Sequence, residues 1–175
     1  MSRPATARRG WGAALRAAVA LGLASLTPDA STSAVLGSGT AWAGLLVLAG
    51  WLLRRPGRAA AAGVVVGLTA VAVHDGAGQL VGAFGASAWV DDRWWFAAAA
   101  LAGGPLGLLG AAAHRPDRRG LLARLTVPAG AVLEPLVVGV PSTPVALALV
   151  TAGTVDAALV PSRPTGVSQV TGDRP

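Results

Sequence analysis

Glu134, His74, Asp75 and Gln79 are the side chains whose type and position could carry chemistry in this sequence. Each falls in a long apolar run, where an ionisable group costs at least about 2.5–3.5 kcal/mol by insertion scales and, when kept, commonly serves ion or proton passage. Pro128 and Pro135 flank Glu134; proline withdraws an N–H from a helix and opens it locally, so an acid beside it is one way to build a polar cavity. Gly63, Gly67, Val71, Asp75 and Gln79 recur every four residues, so Asp75 and Gln79 share a helical stripe with small residues and should face other helices. The expectation is an intramembrane polar cluster of Glu134, His74, Asp75 and Gln79, in which Glu134 shares a proton or an ion pair with His74. The plainer alternative leaves His74 and Asp75 at a membrane interface and bonds Glu134 to a carbonyl freed near Pro135.

Other signatures are missing. All 14 basic residues are Arg, so no phosphate loop ending in Lys can form, and neither His-Glu-x-x-His nor Gly-x-Ser-x-Gly occurs. The absence of Cys excludes disulfides, thiol catalysis, haem attachment and Cys-type zinc sites. His74 and His114 are separated by a full span and belong to opposite membrane faces, so no metal site is expected. No cofactor is implied, and no pairing of nucleophile with base can be assembled. The protein is therefore read as a non-enzyme.

These residues must be positioned by membrane helices. Hydrophobic residues reach 53% and charged ones only 13%, against about 25% charge in soluble domains, and mean hydropathy is +0.59. A hydrocarbon core takes about 20 helical residues to cross. Six segments approach that length: residues 11–26, 35–53, 59–80, 94–113, 121–140 and 144–160. The predicted fold is an all-α, polytopic six-span bundle over residues 1–160, with a disordered cytoplasmic tail over 161–175. A charged stretch at Arg3, Arg8 and Arg9, an apolar run and Thr32-Ser33-Ala34 also read as a cleavable secretory signal, which would leave five spans.

Charge sets the orientation. The net charge of +6 would suit nucleic acid, but the Arg residues sit in short clusters between apolar runs, so no nucleic-acid partner is expected. Arg3, Arg8, Arg9 and Arg16, then Arg54, Arg55 and Arg58, then Arg115, Arg118, Arg119 and Arg124, and finally Arg163 and Arg174 alternate with loops holding Asp29, Asp91, Asp92 and Arg93. By the positive-inside rule both termini are cytoplasmic and the protein lies in a bacterial inner membrane. Trp89, Trp94 and Trp95 mark the outer boundary, and Trp11 and Trp51 the inner one. Trp42 is deeper and is read as core. The turns at Arg54, Arg55 and Arg58 and at Arg115, Arg118 and Arg119 should attract anionic lipid headgroups, at roughly 1 kcal/mol per Arg.

Packing is assigned to glycine. Gly63 and Gly67, and Gly103, Gly107 and Gly110, are spaced so that helix backbones can approach closely, within one molecule or between copies. A 60-residue offset sets Arg55-Pro56-Gly57-Arg58 over Arg115-Pro116-Asp117-Arg118 and His74 over Glu134, so the two hairpins read either as a parallel repeat or as chance likeness in low-complexity helices.

Ala41-Trp42 with Gly50, the Arg-Pro turn, Trp94-Trp95, the Gly104, Gly107, Gly110 series before an Arg-rich turn, and Glu134 together resemble an uncharacterised family of multi-pass membrane proteins from high-GC actinobacteria. The likeness covers about residues 35–140 and implies membrane residence but no functional residues. The leading expectation is a small non-catalytic scaffold or interaction protein, with a homo-oligomer or another membrane protein as partner. The alternative is a small permease or proton-coupled carrier built around Glu134.

Overall fold

Prolines and short polar caps decide where the helices begin. The computed structural model describes residues 4–137, with side chains from 8 to 134. Its elements are α1 (Pro4–Ala24), α2 (Ala30–Leu36), α3 (Gly39–Leu53), α4 (Pro56–Leu80), α5 (Ala88–Asp91), α6 (Arg93–Ala112) and α7 (Arg118–Val137), with no strand among the described residues. Pro56 opens α4, where its missing N–H is no loss. Asp29 accepts from the Thr32 N–H at 2.7 Å to start α2, and Asp117 accepts from the Gly120 N–H at 3.0 Å to start α7.

Among the described residues two helices, α4 and α6, are long and apolar enough to cross a membrane, and the α2–α3 pair adds a third if counted as one bent span. α1 and α7 have comparable length but carry Arg8, Arg9 and Arg16, and Arg118, Arg119 and Arg124. The expected second span is not one straight helix. It breaks at Gly37-Ser38 with a bend of 46°, because the Ser38 hydroxyl accepts the Ala41 N–H at 3.1 Å and restarts the helix there. The expected sixth span and the tail lie outside the described residues.

The main rods alternate in direction. Gly10 of α1 abuts Leu52 and Leu53 at the end of α3, while Gly22 abuts Ala70 and Val73 in the second half of α4. Gly50 faces Gly107 and Gly110 faces Val47, so α3 and α6 run antiparallel; α4 and α6 do the same through Gly63 with Gly103 and Ala59 with Gly107. Consequently Arg8, Arg9, Arg54, Arg55, Arg58, Arg115, Arg118 and Arg119 gather at one end, with Asp29, Asp91, Asp92 and Arg93 at the other. Arg16 reaches back along α1, its guanidinium beside Gly12. At the Arg-rich end His114 stacks on Trp51 at a ring separation of 5.2 Å and is 2.9 Å from its carbonyl oxygen.

Small residues make up most of the interior, with Leu45, Leu46 and Leu53 of α3 as its large members, and the other leucines of residues 8–134 are half-buried or exposed. Ala49, Ala59, Ala62, Ala70 and Val66 are fully buried, whereas Leu101 is 78% and Leu122 67% exposed. A Cβ at Gly50, Gly63, Gly107 or Gly110 would run into a backbone carbonyl oxygen of the facing helix. Each predicted packing glycine therefore lies at a helix contact within the chain, Gly67 against Leu46 and Ala99. α4 is the hub, touching α6, α3 and α1, and α7 leans on α3 and α6.

Replacing Gly107 by Ala should lower stability in detergent by about 1–3 kcal/mol, as overpacking does, while Gly104→Ala, which meets open space on the same helix, should leave the unfolding midpoint unchanged or raised. Asp117 is held below the ordinary carboxyl value of 3.8, first by the Gly120 N–H and then by Arg115. Its stabilisation is complete above that value and is lost as pH falls through the lower folded one. An acid titration followed by circular dichroism should show this loss in the parent and not in Asp117→Asn.

Candidate functional site

A cavity of about 420 Å³ opens at the Arg-poor end of the bundle. Several elements converge on it: Ser25 after α1, Ser33 and Gly37 around α2, Trp42 of α3, His74 and Asp75 of α4, Phe84 of the following loop, and Asp92 and Trp95 around the start of α6. Among the described residues, no Arg lines it.

Glycine again permits the arrangement. With no Cβ at Gly22, α1 comes up against the Ala70 carbonyl and the Val73 side chain, which carries Ser25 to 2.8 Å from His74 Nδ1. With none at Gly78, the Phe84 ring lies directly on α4 and tilts against His74 at 5.0 Å between centroids. Trp42 meets the other side of His74 edge-on at 6.0 Å.

Ser25 Oγ donates to the Gly22 carbonyl at 3.0 Å. A hydroxyl has one proton, so Ser25 either spends it on the Gly22 carbonyl and accepts from Nδ1–H, or donates it to a bare Nδ1; the imidazole tautomer sets which. In either tautomer the contact fixes the orientation of the ring, and the Gly22 carbonyl competes for the proton that a general base would take. Ser33 Oγ adds a 3.0 Å bond to the Ser25 carbonyl and ties α2 to the same corner.

Asp75 is the exceptional group. Its residue exposure is 0%, and no N–H or hydroxyl donor reaches either carboxyl oxygen. The group it meets is the carboxyl of Asp92, another acid, with which it hydrogen-bonds when one of the two holds a proton. Native buried polar groups are overwhelmingly bonded, and an exception calls for an explanation. Arg93, adjacent in sequence to Asp92, is engaged elsewhere: its Nη1 donates to the Val90 carbonyl at 2.8 Å and its guanidinium lies 5.5 Å from the centre of the Trp94 ring.

The four residues expected to cluster are divided. His74 and Asp75 line the cavity; Gln79 and Glu134 do not. Gln79 donates to the Gly85 carbonyl at 3.3 Å and accepts from Trp89 Nε1 at 3.0 Å, fastening the loop after α4. Glu134 accepts the N–H groups of Gly39 and Thr40 at 2.6 and 2.8 Å. It thereby caps the start of α3 from across the bundle and complements the positive end of that helix. The proposed link of Glu134 to His74 is thus corrected: the break at Ser38 creates free N–H donors, and the carboxylate goes to them. The residues that complete the cavity but escaped sequence reasoning are Ser25, Phe84, Asp92 and Trp95, together with Trp42, which was read only as core. Parity puts the ends of spans one, three and four on the Arg-poor side, and so sets Ser25, His74 and Asp92 at the same level, but which of these ends are neighbours is visible only in the packing of the helices.

The chain matches no family model, no curated protein and no solved structure. The functional reading rests on the geometry of the cavity.

Removing the carboxylate in Glu134→Ala should cost about 1–2 kcal/mol, the scale of a lost helix cap, and Glu134→Gln, which keeps one acceptor oxygen, should cost less. Unfolding midpoints in detergent, with limited proteolysis of α7, would check both.

Proposed function

We propose that this protein is a six-span membrane protein of a bacterial inner membrane, with both termini cytoplasmic, that receives a small solute without chemical conversion in the cavity at its outer end. The observation that carries this reading is a cavity of about 420 Å³, a volume within the range of small-molecule sites, with a pair of acids in its wall, the part-exposed Asp92 and the fully buried Asp75, and no Arg among its lining residues. A scaffold has no need of such a pair, and the glycine faces offered for its oligomerisation are occupied within the chain. The reading therefore takes up the permease alternative but moves its centre from Glu134 to Asp75 and His74.

The membrane part of the proposal is supported by helix contacts made chiefly through Gly and Ala and by the large apolar side chains left on the exterior, such as Leu101 and Leu122, since lipid rewards close helix approach and solvates exposed leucine. The gathering of Arg at one end supports a cytoplasmic assignment for that end, where the turns at Arg54, Arg58, Arg118 and Arg119 meet anionic headgroups. Exposed Trp94, Trp95 and Trp89 at the opposite end suit the outer interface.

The chain has no Cys, so single cysteines report cleanly. In intact cells an impermeant maleimide should label Ala83→Cys, at the cavity, and should label Gly57→Cys, in the Arg turn, only after permeabilisation. The reverse pattern would contradict an outward-facing solute cavity.

A further inference from the structure

We infer that the solute taken up by this cavity is a small organic cation, an ammonium bearing a compact apolar body, held by the acid pair of the part-exposed Asp92 and the buried Asp75 against the aromatic walls of Trp42, Phe84 and Trp95. The inference rests on the solute-cavity reading above and adds the charge and shape of the ligand.

Charge is the first argument. Two acids line the cavity and meet each other, one of them fully buried, and no guanidinium reaches them. Arg93 is spent on the Val90 carbonyl and Trp94, Arg16 lies back towards Gly12, and the remaining described Arg residues sit at the far end. His74 is the one basic side chain in the wall, and its Nδ1 is committed to Ser25. Two acids that meet in a buried site cannot both be charged unless a cation joins them; without one a shared proton links Asp75 and Asp92, and a cationic solute can take that proton's place.

Shape and surface are the second. Among the described residues, no group of three His, Cys, Asp or Glu side chains could hold a metal ion, and about 420 Å³ is far more room than a bare ion fills. Three of the lining side chains are aromatic. Aromatic faces attract cations through their quadrupole, most strongly when desolvated, and aromatic cages are a recurrent means of holding quaternary ammonium groups. Carboxylates alone would suit a hydrated metal ion; carboxylates beside indole and phenyl rings suit an ammonium whose charge is wrapped in methyl or methylene groups. The cavity lies at the Arg-poor end, so a cation approaching it is not repelled by the Arg clusters.

The test is equilibrium binding of radiolabelled benzyltrimethylammonium to the full chain in nanodiscs, with unlabelled benzyltrimethylammonium, sodium and benzenesulfonate as competitors. Saturable binding is expected, displaced by the unlabelled ammonium, unaffected by benzenesulfonate and weakly affected by sodium. Asp75→Asn and Asp92→Asn should each weaken it on the order of tenfold or more, and Trp42→Leu by a smaller factor. Asp92 is only partly buried, so Asp92→Asn decides the matter even where Asp75→Asn fails to fold. No saturable binding to folded protein, binding indifferent to both Asp variants, or equal displacement by benzenesulfonate would overturn the cation assignment. Those results would leave the outward solute cavity standing if Ala83→Cys labels from outside. Labelling of Ala83→Cys only from the cytoplasmic side would instead remove the cavity's outward orientation, whatever the probe does.

Discussion

The contact on which the rest of this structure depends is the backbone-to-backbone approach of α4 and α6. Gly63, Gly103 and Gly107 leave no room for a Cβ on either helix, so the two rods close to the point where main-chain atoms of one touch those of the other. In a hydrocarbon solvent this is the kind of association that holds helices together, because separating them would expose nothing that lipid does not already solvate. Gly50 and Gly110 extend the same closeness to α3. α4 is thereby surrounded, and whatever it carries on its inner stripe is buried without a choice of partners.

Most of that stripe is Gly, Ala and Val, for which burial is harmless. Asp75 is not harmless, and the helices around it supply no donor. What they supply is space: Gly22 admits α1 and so Ser25, Gly78 admits Phe84, and the bend at Ser38 swings α2 aside to leave Gly37 and Trp42 at the rim. The bend has its own cost, two exposed backbone donors at the start of α3, and Glu134 meets it from α7. One acid therefore secures the frame that leaves the other one unanswered.

Much of this frame was legible in the sequence. The four-residue spacing placed Asp75 on the glycine stripe of α4, and the Arg clusters foretold which helix ends would lie at the same level. The packing glycines were identifiable because close approach tolerates few other residues. Gly50 was visible only as part of a loose motif, since its partner Gly107 lies on a helix remote in sequence. The division of the polar residues was not legible. Glu134 and His74 stand at equivalent depths and even superimpose under the 60-residue offset, yet one faces a helix end and the other a cavity. That difference follows from Ser38, whose capping role was hidden in what reads as a flexible Gly-Ser-Gly start. Gln79 shares the stripe of Asp75, but one turn further on the loop of residues 81–87 claims it. Ser25 gives no signal at all until α1 and α4 are set side by side.

The central claim is that Asp75 is kept for what enters the cavity and not for the fold. The thermal unfolding midpoint of Asp75→Leu in detergent, free of added solute, tests it directly, since leucine has a similar shape and needs no partner. The account predicts a higher midpoint than that of the parent chain, because a buried polar group left short of donors weighs about 1–3 kcal/mol against the folded state. A lower midpoint would mean that the carboxyl group holds the bundle together, and would contradict the account.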